Sequence, residues 1–197
     1  MIRRLMLTTA VLALAACGAP DPAPTPEPAP APATPAPAAD VLTAQGFGPL
    51  RIGMTRAEVE TALGADSNPG AVGGADPEAC DTFHPARAPS GLRVMVEQGV
   101  LTSIWLDRGA TIKTDRGFGV GDTATAIRAA YGPTATATPH KYSAAPAEYI
   151  TTWSGGGAAG YVQNPSARGI VYHIGTDGAA EHVAAGGPSI QYVEGCA

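Results

Sequence analysis

A stretch of residues occurs twice in this chain, and the two copies constrain its fold more than any other feature. Residues 52–64 read IGMTRAEVETALG, and residues 120–132 read VGDTATAIRAAYG. At a constant offset of 68, Gly53 matches Gly121, Thr55 matches Thr123, Val59 matches Ile127, Ala62 matches Ala130 and Gly64 matches Gly132. A Gly-Phe-Gly precedes each copy, at 46–48 and at 117–119. Agreement over so many positions reads as a duplication of one structural unit.

Each copy predicts a short helix. In the first, Thr55 caps the start and Glu58, three residues on, reaches back to it, which is a capping box. Val59, Ala62 and Leu63 then share one face, and Gly64 stands where a helix terminates. In the second, Asp122 or Thr123 caps, Ile127, Ala130 and Tyr131 form the apolar face, and Gly132-Pro133 stops the helix. Helices this short must pack on something, and the remaining pattern supplies strands. Leu92–Val96 and Val100–Leu106 flank a Gln98-Gly99 turn. Tyr149–Trp153, Tyr161–Gln163 and Ile170–Ile174 follow, and Asp177-Gly178 turns the chain into Glu181–Ala184 and then Ile190–Val193. Each half reads as a helix followed by hairpin strands, repeat one over about 46–115 and repeat two over about 116–197. The expected fold class is α+β: two repeated units forming one domain, residues 41–197, with helices packed on an antiparallel sheet.

The N-terminal part has a different character. Arg3 and Arg4 precede an apolar run, Leu5–Ala13, too short to stay in a bilayer as a spanning helix. Small residues then lead to Cys17. Residues 1–16 read as a secretory signal peptide, and Leu14-Ala15-Ala16-Cys17 resembles the lipobox of bacterial lipoproteins. That resemblance implies cleavage before Cys17, acylation of its thiol and new amine, and a lipid-anchored protein of the cell envelope. Gly18, where an aspartate would retain such a protein at the inner membrane, leans towards the outer membrane, facing the periplasm. Residues 18–40 hold nine prolines in 23 positions, alternating largely with alanine. Such a run favours extended polyproline II at about 3.1 Å per residue, so residues 17–40 read as a lipidated cysteine and a disordered tether reaching up to ~70 Å.

Charge narrows the partners. The whole chain carries 12 basic and 17 acidic residues; losing Arg3 and Arg4 with the signal leaves 10 against 17, a net charge of −7. No basic cluster remains to neutralise a phosphate backbone, so nucleic acid is not expected as a partner. With Cys17 acylated, Cys80 and Cys196 are left as one pair in an oxidising compartment, and a disulfide between them is expected.

The segment IGMTRAEVETALG resembles the opening helix motif of the SmpA/OmlA (BamE-like) group of small envelope lipoproteins. It also resembles the β-lactamase-inhibitor-protein-like fold, in which a helical pair packs on an antiparallel sheet and the unit is sometimes duplicated. The resemblance covers 13 residues in each copy and implies fold and envelope location. The BamE-like unit is single, so no binding residue carries over to numbered positions here.

The search for chemistry gives few leads. His173 and His182 flank the Asp177-Gly178 turn and are expected opposite each other across a hairpin. Two imidazoles lack the third protein ligand that zinc normally takes, so no metal is assigned. His84 follows Cys80 and Asp81, but the disulfide removes the thiolate that a Cys-Asp-His site requires. Ser154 has no glycine two positions before it and fails the nucleophile-elbow pattern. The glycines after it lack the Lys-Ser or Lys-Thr of a phosphate loop. His140, Lys141 and Tyr142 lie in a loop expected between the second helix and the next strands, and are the candidate partner contacts. No catalytic or cofactor-binding residue is assigned, and no cofactor is expected. The expected function is a non-enzymatic, membrane-tethered binding domain acting on another envelope protein or component. The alternative is an inhibitor of a periplasmic or secreted hydrolase, with Trp153, Tyr142 and Tyr149 as inserting side chains. An enzyme is the third class.

Overall fold

A computed structural model describes residues 40–71, 73–155 and 160–196; the signal segment, Cys17 and the Pro-Ala run to residue 39 lie outside them. The described chain is α+β, with two sheets of antiparallel strand pairs and two short helices. Strands β1 (Leu42–Thr43), β2 (Gly46–Phe47) and β3 (Leu50–Arg51) form a small meander. Helix α1 (Arg56–Leu63) follows, then β4 (Cys80–Phe83), β5 (Leu92–Glu97) and β6 (Val100–Leu106). Helix α2 (Ala124–Tyr131) leads into β7 (Ala135–Pro139), β8 (Glu148–Trp153), β9 (Gly169–Ile174) and β10 (Ala180–Gly186). The large sheet has the order β4-β5-β6-β10-β9-β8-β7.

The helix ends follow from their caps. Thr55 Oγ1 accepts from the Glu58 amide at 3.3 Å, and the Thr55 amide donates to Glu58 Oε2 at 2.7 Å, closing the capping box. At α2, Thr123 Oγ1 accepts from the Ala126 amide at 3.3 Å, and the alanine there has no side chain to answer. Both helix starts are also tied to a hairpin: Gly53 N donates to Leu101 O at 2.9 Å, and Gly121 N to Ala180 O at 2.8 Å. The β5–β6 turn takes φ of 49° at Gln98 and 76° at Gly99, a left-handed pair that matches the twist of a two-residue hairpin.

Strand alternation sorts side chains onto two faces. One face joins Val94, Leu101, Ile104, Ile150, Ile170 and Val183 with Val59 of α1, Ile127 of α2 and the meander's Leu42, Phe47 and Leu50 in one apolar cluster. Its buried polar feature is a hydroxyl chain: Thr114 Oγ1 and Tyr131 Oη lie 3.0 and 2.9 Å from Tyr172 Oη. Burial pushes both phenols up from their ordinary pKa.

Several expectations need correction. Ala130 is exposed, so α2 buries Ile127 and Tyr131 alone. Tyr161–Gln163 forms no strand, and Ile190 and Gln191 belong to a 3-10 turn over Pro188–Gln191, where Pro188 fixes the turn and removes a ladder donor. His140, Lys141 and Tyr142 connect β7 to β8, because the unforeseen strand β7 intervenes after α2.

Candidate functional site: a cleft over the second sheet face

Register decides what the other face of the large sheet carries. Trp105 is paired with Ala184, Ala184 with Val171, Val171 with Thr151 and Thr151 with Thr136. The neighbouring row runs His182, His173, Tyr149, Thr138. Side chains opposite one another on a face lie within contact range, so pairing alone gathers rings at the middle of the sheet. His173 is their centre. Its ring centroid lies 5.2 Å from Trp105, 4.9 Å from Tyr149 and 6.3 Å from His182. His140 stacks on Tyr149 at 4.8 Å. Gly169, opposite Trp153, leaves room for the indole: a Cβ there would come within 2.6 Å of it.

The C-terminal segment covers part of this face. Gly187 N donates to Thr102 O at 3.0 Å, and Ile190 packs with Met95, Trp105, Trp153, Val171 and Ala184. The Gln191 amide holds the Val162 backbone from both sides, accepting from its N–H at 2.9 Å and donating to its carbonyl at 2.8 Å. Cys196 then forms a disulfide with Cys80 on β4, across a sequence separation of 116. The segment is thus fixed at both ends, by strand β10 and by the disulfide.

Between this segment and the β7–β8 hairpin lies a cleft of about 530 Å³. Tyr149, Trp153, Val171 and His173 line it from the sheet, Thr136, Thr138 and Thr151 from the β7–β8 side, and Ile190 and Val193 from the covering segment. Lys141 and Tyr161 also line it. Tyr161 is 60% exposed, and Tyr142, beside Lys141, is 63% exposed. The Lys141 ammonium pairs with Glu194 Oε1 at 3.1 Å, joining the β7–β8 loop to the C-terminal segment.

The electrostatics of this face centre on one neutral ring. His173 is 9% exposed, and its Nε2 has no hydrogen-bond partner among the described residues. Burial first, then the neighbouring His182, His140 and Arg93, push its pKa down to about 3. It is therefore uncharged at neutral pH, with one nitrogen able to donate and one able to accept. Farther along, His182 Nδ1 lies 3.1 Å from Asp107 Oδ1, and Arg93 Nε donates to Asp107 Oδ2 at 2.8 Å while its guanidinium stacks over Trp105. Burial works to raise the Asp107 pKa, but His182 and Arg93 outweigh it and hold the carboxyl below the usual range.

The structure therefore brings His173 and His182 together as the hairpin turn implied. Of the loop trio, Lys141 lines the cleft, Tyr142 points to solvent and His140 packs on Tyr149; His140 Nδ1 accepts from the Tyr142 and Ser143 amides, each at 3.1 Å. His84 stands apart, its Nδ1 3.0 Å from the Leu92 carbonyl oxygen, and Ser154 lies exposed in the turn after β8. Among the described residues, no three His, Cys, Asp or Glu side chains gather as a metal site. Trp105 and Arg93 are the residues that sequence reasoning missed. The alternation of β6 puts Trp105 opposite in facing to Ile104 and Leu106, which was the available signal.

No family model and no curated protein matches the chain. Among solved structures it is similar to a DUF4309 family protein (YjgB) from Bacillus subtilis subsp. subtilis str. 168, at 17% identity and a TM-score of 0.40, over 68% of this chain and 78% of that one.

Proposed function

We propose that this chain is a lipid-anchored, non-enzymatic protein of the bacterial cell envelope whose duplicated α+β head binds an envelope component in the cleft. The observation that carries the binding reading is His173. An uncharged imidazole lining an apolar cleft, with an exposed tyrosine at its edge, offers a ligand both apolar walls and a hydrogen-bonding ring. Anchoring rests on the lipobox-like Leu14–Cys17 and on the Pro-Ala run that would hold the head off the membrane. Acidic net charge is in keeping with a partner other than nucleic acid or an anionic lipid surface.

The duplication is part of the same proposal. Helices α1 and α2 begin 68 residues apart, and so do β4 and β8. Each helix start bridges a hairpin, Thr55 with Val100 and Thr123 with Ala179. The order β4-β5-β6 is mirrored by β10-β9-β8 about the centre of the sheet. These correspondences support two copies of a helix-plus-sheet unit.

Two measurements test the proposal. Metabolic labelling with a palmitate analogue should mark the wild-type chain and not Cys17→Ser. A photo-crosslinking residue at Tyr161 should give an adduct in living cells, resolved by mass spectrometry, that the same residue at Val100 does not give. Labelling that survives Cys17→Ser refutes the anchor, and adducts shared equally by both positions refute the cleft as the binding surface.

A further inference from the structure

The cleft also carries information about what it holds. Its walls are Trp153, Val171, Ile190 and Val193, so most of any occupant must be apolar to gain from burial there. Among the described residues, Lys141 is the only charged side chain in the lining, and Glu194 already pairs with it at 3.1 Å. An anionic ligand would have to break that pair inside a chain with a net charge of −5. It would also meet an imidazole that burial and the surrounding His182, His140 and Arg93 keep uncharged. A cationic ligand would find no free carboxylate among the described residues of the lining. His173 also lines the cleft, and its uncharged ring carries one donor and one acceptor nitrogen, so the ring edge that faces the cleft can serve a ligand carbonyl or hydroxyl.

Resting on the reading of the cleft as the binding site, we propose that it takes an uncharged, largely apolar small molecule with a single hydrogen-bonding group, seated so that this group meets His173 and its apolar body lies along Trp153, Val171 and Ile190. Such molecules are the lipophilic, ring-bearing or chain-bearing neutral compounds that partition into membranes. Thr136, Thr138 and Thr151 add neutral hydroxyls on one side without adding charge.

Three probes of one shape separate the possibilities: 2-naphthol, naphthalene and 2-naphthoate, titrated calorimetrically into the full chain carrying Cys17→Ser so that no acyl chain competes. A neutral hydrogen bond predicts that 2-naphthol binds roughly tenfold more tightly than naphthalene. The anion should bind at least about tenfold more weakly than the alcohol, since its desolvation is not repaid. His173→Phe should bring the naphthol–naphthalene preference to within about twofold while keeping the ring volume, and Val171→Trp, which fills the cleft, should abolish binding of both neutral probes. Naphthoate binding as tightly as naphthol overturns the ligand class by a comparison within the wild-type protein, whatever the fate of the variants. No binding by any probe, with Tyr161-specific adducts still formed in cells, also overturns the class but leaves the cleft as a binding surface. Naphthol binding unchanged by Val171→Trp removes the cleft itself.

Discussion

Acid should destabilise this head through His173, and the magnitude follows from the surroundings of its ring. Unfolded, its imidazole takes up a proton near the ordinary value of about 6.5. Folded, it resists protonation down to about 3, because it is buried and faces His182, Arg93 and His140 from three different parts of the chain. The unfolded state therefore binds more protons between these two values, so stability is full above pH 6.5 and falls as the pH drops through that window. Between pH 6.5 and pH 4.5 the loss from this one group is on the order of 2 kcal/mol, enough to matter for a domain of ordinary marginal stability. Carboxylates interfere little over that range. Asp107, held below its usual pKa by His182 and Arg93, loses its contribution only at lower pH.

The test compares urea unfolding of the Cys17→Ser chain with and without His173→Phe, disulfide intact, followed by circular dichroism at half-unit steps from pH 7 to pH 4.5. Linear extrapolation gives the stability at each step. The wild-type curve should fall more steeply, and the difference between the two should grow by about 2 kcal/mol across the window. His84, His140 and His182 are present in both proteins. At pH 7 the phenylalanine variant should be at least as stable as the wild type, because it removes an unpaired buried nitrogen and keeps the ring packed against Trp105 and Tyr149. Parallel curves from pH 6.5 to pH 4.5 would show that the ring is protonated as easily folded as unfolded. The account of a neutral His173 would then be wrong.

Opening the Cys80–Cys196 bond by Cys196→Ser should lower stability by about 5 kcal/mol on the chain-entropy model for a closed loop of this length, read as a shift in urea midpoint. Ile127→Ala, at a fully buried position of α2, should cost about 2–5 kcal/mol, whereas Ala130→Ser, on the exposed side of the same helix, should change stability by less than about 0.5 kcal/mol. Thr55→Ala should cost about 1 kcal/mol and more than Thr123→Ala, because only the first helix has a glutamate answering its cap. Ala126→Glu should recover part of that difference at the second helix, visible as a raised thermal midpoint.

Where the sequence was legible, a strong local rule was at work. Thr55 with Glu58 and the terminal glycines delimited the helices, and Gln98-Gly99 and Asp177-Gly178 located two hairpins. From the second of these, the meeting of His173 and His182 followed. Strand β4 escaped because its inward position Asp81 is a carboxylate, 7% exposed and tied to Arg56 at 2.6 Å, which breaks the apolar alternation. The edge strand β7 is alanine, threonine and a terminal proline, with no apolar period to read. With β7 unseen, neither the stacking of His140 on Tyr149 nor the β7–β8 side of the cleft could be anticipated. Ile190 misled in the opposite sense: its burial is real, but it comes from lying across a sheet face, and only Pro188 hinted that the strand would not continue.

On the proposed duplication, the cleft arises where the copies diverge. The segments from each helix end to the corresponding strands β4 and β8 have the same length, residues 64–79 and 132–147. In the first half that segment passes so close to β4 that a Cβ at Gly73 would come within 3 Å of Asp81 and Thr82. In the second half it becomes β7 and extends the sheet beyond β8. The connection from β8 to β9, residues 154–168, is also longer than its counterpart from β4 to β5, residues 84–91, and the extra length carries Tyr161 and Val162. Val162 is the residue that Gln191 holds. The shared framework thus supplies the sheet face, and the added strand, the longer connection and the disulfide-fixed C-terminal segment wall off one part of it. A symmetric ancestor of two identical units would have had no such enclosure. Shortening 154–168 towards the length of its counterpart should therefore remove binding in the cleft with little loss of fold, because the framework contacts of Ile150, Ile170 and Tyr172 lie on the other face.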